Sequence, residues 1–234
     1  MEPVGECHLA EYYDRARNDQ DKLSLLRCFF GCLANALKYL HSQRIRHRDI
    51  KPQNIIVKGD LVFVTDFGVA YNWENLTGGT TTADSSKTQS YAAPEVIRVE
   101  PRNEAADIWS LGCVFLEMVT VLKGETVQNM QKLFIDRTDI SHFHANGEGI
   151  AIWTEKLQAV PQVVDDAAVG WAVKMLQQDK AARPTAAELL GEMTVESARR
   201  GILFCGPCCR DGDDSTTEDE EDDGHLWGGY GVDG

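Results

Sequence analysis

The stretch RIRHRDIKPQNIIV, Arg44 to Val57, decides how the rest of the chain is read. It sets Arg46, His47 and Arg48 against one acid, Asp49, and continues with Lys51 and Asn54 before an apolar run begins. One carboxylate, one ammonium and one amide at such short offsets can hold a charged group if buried elements fix them on both sides. Upstream, Leu23, Leu26, Phe30, Leu33, Leu37 and Leu40 recur in steps of three and four. That spacing predicts a helix from about Asp21 to His41, started by Asp19 or Asp21 as its cap. Downstream, Ile55–Val57 and Leu61–Val64 flank Lys58-Gly59-Asp60 and predict two short strands around a turn.

Farther along, residues 72–90 are rich in Thr, Ser, Gly and Asp, lack periodicity and are expected to form a long surface loop. Ala105, Ile108, Trp109, Leu111, Phe115 and Met118 mark a strongly apolar helix. Shorter helices are expected over Val127–Ile135 and Asp165–Gln177, with Asp139–Gly149 read as loop between them. Thr185 with Glu188 forms a capping box that opens a last helix through Glu192.

Composition bounds the function. The chain has 234 residues, 43% of them hydrophobic, enough for a sizeable core and one domain plus an extension. The net charge of −14 argues against binding nucleic acid through phosphate attraction. Of this, −9 lies between Cys205 and Gly234, which hold ten acids and one base, so the preceding 204 residues carry an ordinary −5. The acidic run DGDDSTTEDEEDD is too polar to build a core and is expected to be a disordered tail. No apolar run approaches the ~18 residues of a membrane-spanning helix, so no transmembrane segment is expected. The N-terminus shows no secretory signal. Cys28, Cys32 and Cys113 sit in apolar helical patterns and read as small buried thiols, which fits an intracellular location, cytoplasmic or nuclear.

The order of motifs is more specific than any one of them. After the helix come His47-Arg48-Asp49-Ile50-Lys51 and Asn54, then the hairpin, Asp66-Phe67-Gly68, the Ser/Thr-rich loop, Ala93-Pro94-Glu95, Asp107-Ile108-Trp109-Ser110-Leu111-Gly112, and Arg183-Pro184-Thr185. This series resembles the signature set of eukaryotic-type Ser/Thr protein kinases. The resemblance covers the large C-terminal lobe, from about Met1 to Met193. It implies a protein-kinase-like fold, C-lobe only, mainly α with short β-hairpins at the catalytic cleft. The expected division is 1–196 for the kinase domain and 197–234 for a Cys-containing acidic disordered tail. The implied function is ATP-dependent phosphoryl transfer to Ser or Thr of a protein substrate; the alternative is a catalytically weak or inactive interaction module.

The resemblance also assigns roles. Asp49 would accept the substrate hydroxyl's proton, and Lys51 would meet the γ-phosphate. Asn54 and Asp66 would ligate Mg²⁺, a hard cation that prefers oxygen donors. Glu2 and Val4 would lie at the hinge beside the adenine of ATP. Asp107 would receive backbone donors from the HRDIKPQN turn, and Glu95 and Arg183 would form a buried ion pair. Arg48 would receive a phosphate from the activation loop, with Thr80, Thr81, Thr82, Ser85 and Ser86 as candidate acceptors. Thr88 would contact the catalytic loop, although Lys87 stands where the family usually has glycine.

Some family parts are missing. Ahead of the catalytic stretch there is no Gly-rich GxGxxG, no strand lysine and no helix glutamate to pair with it; the one GxGxxG, Gly229 to Gly234, follows the acidic run, far from where the family carries the motif. Trp171-Ala172-Val173-Lys174 imitates the lysine motif but follows the APE segment and reads as an ordinary helix. The chain therefore reads as a truncated kinase domain, expected by itself to bind ATP weakly. Two features stand outside the resemblance. His142 and His144 read as surface histidines. Cys205-Gly206-Pro207-Cys208-Cys209 is open between a metal half-site, a lipidation cluster beside Ile202-Leu203-Phe204, a redox pair and exposed thiols. Three cysteines with no fourth ligand weigh against zinc.

Overall fold

The computed structural model describes residues 5–72, 89–206 and 209. The predicted elements appear in order, with several additions. β1 (Cys7–His8) leads into α1 (Leu9–Ala16), followed by α2 (Gln20–Ser42). Asp19 caps α2 by accepting from the backbone N–H groups of Asp21 and Lys22, each at 3.1 Å. The periodic leucines and Phe30 face inward as expected. β2 (Ile45–Arg46) pairs antiparallel with β5 (Tyr71–Asn72). Between them β3 (Ile55–Lys58) and β4 (Leu61–Val64) form the predicted hairpin, in register Ile55↔Val64 through Lys58↔Leu61. Gly59 turns it with a φ of 59°, in the left-handed region where glycine has no Cβ to clash. β1 adds to the open side of β3.

The remaining elements are helical: α3 (Pro94–Ile97), α4 (Ala105–Leu122), α5 (Val127–Thr138), α6 (Gly147–Gln158), α7 (Asp166–Met175) and α8 (Ala186–Arg200). Every residue of α4 except Ala106 is buried. A helix apolar all round belongs in the middle of a core. It packs against α7, α2 and α5. Both α2 and α4 are long and apolar enough to cross a membrane by length and composition alone, a test that the core helix of a soluble protein also passes. Isolated polar residues such as Asp107 and Glu117 interrupt the runs without lowering the average much. In this fold 83% of the apolar window of α4 is buried within the protein.

Four departures concern element bounds. The sequence reading omits α1, although Leu9, Tyr12, Tyr13 and Ala16 lie one helical face apart and are all buried. It also treats Asp139–Gly149 as loop, whereas α6 already begins at Gly147. Gly149 is there for contact: a Cβ at that position would lie 2.9 Å from Cδ1 of Phe134 on α5. Asn146 braces the preceding turn by donating to the carbonyls of Ile140 and His142. α7 ends two residues short of the predicted Gln177, and its Lys174 pairs with exposed Glu192, as suits an ordinary helix residue.

The fourth departure moves the domain boundary. The capping box of Thr185 and Glu188 is present, but α8 runs past Glu192 to Arg200 and ends at Gly201 with φ 66°. The chain then turns back on α2. Phe204 is fully buried, edge-on to Trp171 at 5.0 Å and to Phe30 at 6.5 Å. Residues 197–205 are thus part of the folded unit rather than of a disordered tail, because an apolar ring there finds an aromatic pocket. The acidic run from Asp211 onward lies outside the described residues.

Candidate active site

The hairpin explains the site's geometry. Asn54 enters β3 and Asp66 leaves β4, so the strand register brings their ends together. Asn54 accepts at its carbonyl from Thr65 N–H at 2.8 Å and from Thr65 Oγ1 at 3.1 Å. The Asn54 side-chain amide donates to the carbonyl of Asp49 at 2.8 Å and to Asp49 Oδ2 at 3.0 Å. Lys51 Nζ donates to the same Oδ2 at 2.8 Å. Asp49, Lys51 and Asn54 therefore form one hydrogen-bonded group. Because the Asn54 NH₂ is turned inward, its Oδ1 is the atom left to face a hard cation.

Asp66 follows the second strand, at the same open end of the hairpin as Asn54, with an exposed side chain. Its φ of 62° and ψ of 65° are left-handed, and its carboxylate accepts a long bond from Gly68 N–H at 3.4 Å. A non-glycine residue in this region costs on the order of 1–2 kcal/mol, least for Asp and Asn. A side chain held this way is fixed by the surrounding fold rather than by its own preference. His47 locks the two halves: its Nε2 lies 2.9 Å from the Thr65 carbonyl and its ring meets Phe67 edge-on at 4.9 Å.

The turn is anchored from beneath. Asp107, buried near the start of α4, accepts from His47 N–H at 2.9 Å and Arg48 N–H at 2.8 Å. His41 Nε2 adds a third contact at 3.2 Å. These are the backbone donors expected for Asp107. Glu95 and Arg183 also pair as expected, through two parallel bonds of 2.7 and 2.8 Å. Arg183 further donates to the carbonyls of Ala105 and Gln177 and lies 5.0 Å over the Trp109 ring.

Glu2 and Val4, the expected hinge residues, lie outside the described residues, as do Thr80, Thr81, Thr82, Ser85, Ser86, Lys87 and Thr88. Arg48 lines a cavity beside Asp49 together with Arg46 and Arg102, and its guanidinium sits 5.8 Å from the Tyr71 ring centre. Arg46 is itself buried, and the loss of water pushes its pKa down. His142 and His144 stack at 5.4 Å, half-buried; among the described residues no three His, Cys, Asp or Glu side chains form a preformed metal group.

Among the buried acids that sequence reasoning missed, Glu117 stands nearest the site. Glu117, on α4, accepts from the Tyr91 hydroxyl at 2.8 Å. Its only clue was a charge within an otherwise apolar helix. Burial pushes its carboxyl up to about 8, against the opposing pull of the Tyr91 hydrogen bond. Its ordinary value is 4.5. Between those values the folded chain keeps a proton that the unfolded chain has released, so Glu117 favours folding fully at low pH and loses that contribution as pH rises toward about 8. Glu117→Gln keeps the shape and removes the titration. Melting curves from about pH 5 to about pH 9 should be flatter for this variant, with the larger gain in Tm at the alkaline end. Parallel pH profiles for the two proteins would refute this assignment.

The fold and the turn, hairpin and anchor geometry agree with the comparisons. The family model described as protein kinase domain matches residues 1–193. The chain belongs to the protein kinase domain family. Among similar curated proteins is GLH-binding kinase 1 of Caenorhabditis elegans, 41% identical over 171 residues, covering 68% of this chain and 43% of that protein. Another is mitogen-activated protein kinase kinase kinase 2 of Arabidopsis thaliana, 33% identical over 168 residues, with coverage of 71% and 24%. A third, serine/threonine-protein kinase AtPK1/AtPK6 of the same plant, is 34% identical over 142 residues, with coverage of 59% and 30%. The kinase chain thus spans less than half the length of each of these relatives.

Proposed function

We propose that this kinase domain transfers the γ-phosphoryl group of ATP to a Ser or Thr hydroxyl of a protein substrate. The observation that carries the reading is the shared hydrogen-bonded group of Asp49, Lys51 and Asn54 at the same end of the hairpin as Asp66. Asp49 orients the acceptor hydroxyl and takes its proton. Lys51, already held beside Asp49, meets the phosphoryl oxygens as charge shifts toward the leaving group. The oxygens of Asn54 and Asp66 suit Mg²⁺, which when bound would offset the phosphate charge. Glu2 and Val4 are assigned to the adenine side, and Arg48 to a phosphate on the activation loop.

The experiment is incorporation of label from γ-labelled ATP into a generic protein substrate with Mg²⁺, followed by phosphoamino-acid analysis. Label on Ser or Thr supports the reading. No transfer would leave a non-catalytic interaction module as the better description. Protein substrate and ATP are the proposed partners, and the cytoplasm or nucleus the proposed location.

A further inference from the structure

The fold leaves a cavity of about 500 Å³ that the kinase reading does not use. It opens between the last turn of α2, the start of α4 and the stretch that runs from Lys180 into α8. Asp49, Lys51, Asn54 and Asp66 are not among its lining residues. Its origin is side-chain size. Ala105 on α4, Ala181 between α7 and α8, and Ala186 and Ala187 on α8 all end at Cβ, so three elements meet without filling the space between them. Ile108 and Pro184 add to the apolar lining. Protein interiors otherwise pack closely, with few voids larger than a water molecule. A recess of this size lies within the roughly 300–1,000 Å³ of small-molecule sites, which are likewise apolar with a few polar groups to fix orientation.

The charged groups here favour an anion. Lys38, exposed, comes from α2, and Lys180 from the stretch before α8. Lys180 Nζ donates to the Pro101 carbonyl, which steadies the ammonium and leaves it further donors. Two helices also begin at the cavity, α4 at Ala105 and α8 at Ala186, and helix starts favour negative charge. Against these, Glu104 is the one acid among the lining residues. A cation would meet two lysines, and a neutral molecule would gain only the apolar contact. Two further lining residues tie the cavity to the site. His41 Nε2 lies 3.2 Å from Asp107 Oδ2, on the carboxylate that holds the His47 and Arg48 backbone. Arg183 is the partner of Glu95.

We propose that this cavity binds a small apolar carboxylic acid, with its hydrocarbon body against Ala105, Ile108, Pro184 and Ala186 and its carboxylate between Lys38 and Lys180. An occupant also meets His41 and Arg183, and so bears on both anchors of the site from the side away from the hairpin end.

The probe is 4-benzoylbenzoate, an apolar aryl acid whose ketone inserts into neighbouring C–H bonds under near-ultraviolet light. The protein is the full 234-residue chain without ATP, so the outcome is separate from that of the phosphoryl-transfer assay. Irradiation and peptide mapping should place the label on residues 38–42, 103–108 or 180–187. Calorimetry should show one saturable site. The neutral 4-benzoylbenzamide should bind about threefold to tenfold more weakly than the acid, and Lys38→Ala with Lys180→Ala should weaken the acid by a similar factor. Ala187→Phe, at an exposed lining position, should fill the space and abolish the labelling. The mapping uses the wild type and does not depend on any variant's folding. Label on Arg44–Val57 or on the hairpin would put the acid in the kinase cleft and overturn the proposal. Label scattered over the surface, heat that does not saturate, or equal affinity for acid and amide would overturn it as well.

Discussion

Replacing Asp49 with asparagine is expected to lower kcat for phosphoryl transfer by about 10²- to 10⁴-fold, the usual contribution of a positioned general base. The substitution is nearly isosteric, so the turn around it should persist. The Asp107 anchor acts on the backbone of His47 and Arg48 and does not involve the Asp49 carboxylate. What changes is the chemistry at one oxygen. Asp49 Oδ2 now accepts from both Lys51 and Asn54. An amide can keep only one acceptor oxygen, takes no proton from the substrate, and sets an NH₂ among other donors. Initial rates with labelled ATP, alongside circular dichroism to verify the fold, measure the effect. Equal rates for the two proteins would mean that any transfer seen does not use this carboxylate.

The largest effect on stability is expected at the buried Glu95–Arg183 pair. Arg183→Ala strips Glu95, which is 3% exposed, of both its short bonds. A carboxylate left alone in the interior costs about 3–5 kcal/mol. For a domain of this size that lowers Tm by on the order of 10 °C. The loss is compounded because Arg183 also holds the carbonyls of Ala105 and Gln177, at the start of α4 and just after α7. The pair is no evidence of net stabilisation against apolar residues. Glu95→Leu with Arg183→Met should therefore recover much of the loss, and a double-mutant cycle by thermal or urea melts separates the pair from the packing. A Tm unchanged in Arg183→Ala would show that the ion pair carries no strain on removal.

What could be read from sequence follows the range of the interactions. α2 announced itself through its leucine spacing and Asp19, the hairpin through Gly59 between two β-branched runs, and α8 through Thr185 and Glu188. All are local signals. The group of Asp49, Lys51 and Asn54 was equally legible, since three of its bonds span five residues or fewer. The misses are non-local. Gly149 looks like a loop residue until Phe134 is placed against it. Phe204 looks like the edge of a polar tail until Trp171 and Phe30 are seen to receive it. Glu117 is intelligible only beside Tyr91, 26 positions away.

The anchoring of the His47–Asp49 turn on α4 has a kinetic corollary. The amide protons of His47 and Arg48 are held by a carboxylate whose helix sits in the deepest part of the protein. They can reach solvent only when that helix loosens, so their hydrogen exchange should track global unfolding rather than loop fluctuation. The Gly59 amide, held across the hairpin tip by Glu6, should exchange orders of magnitude sooner. A turn would then show the protection of a core, and the groups proposed to react would inherit their stillness from a buried helix.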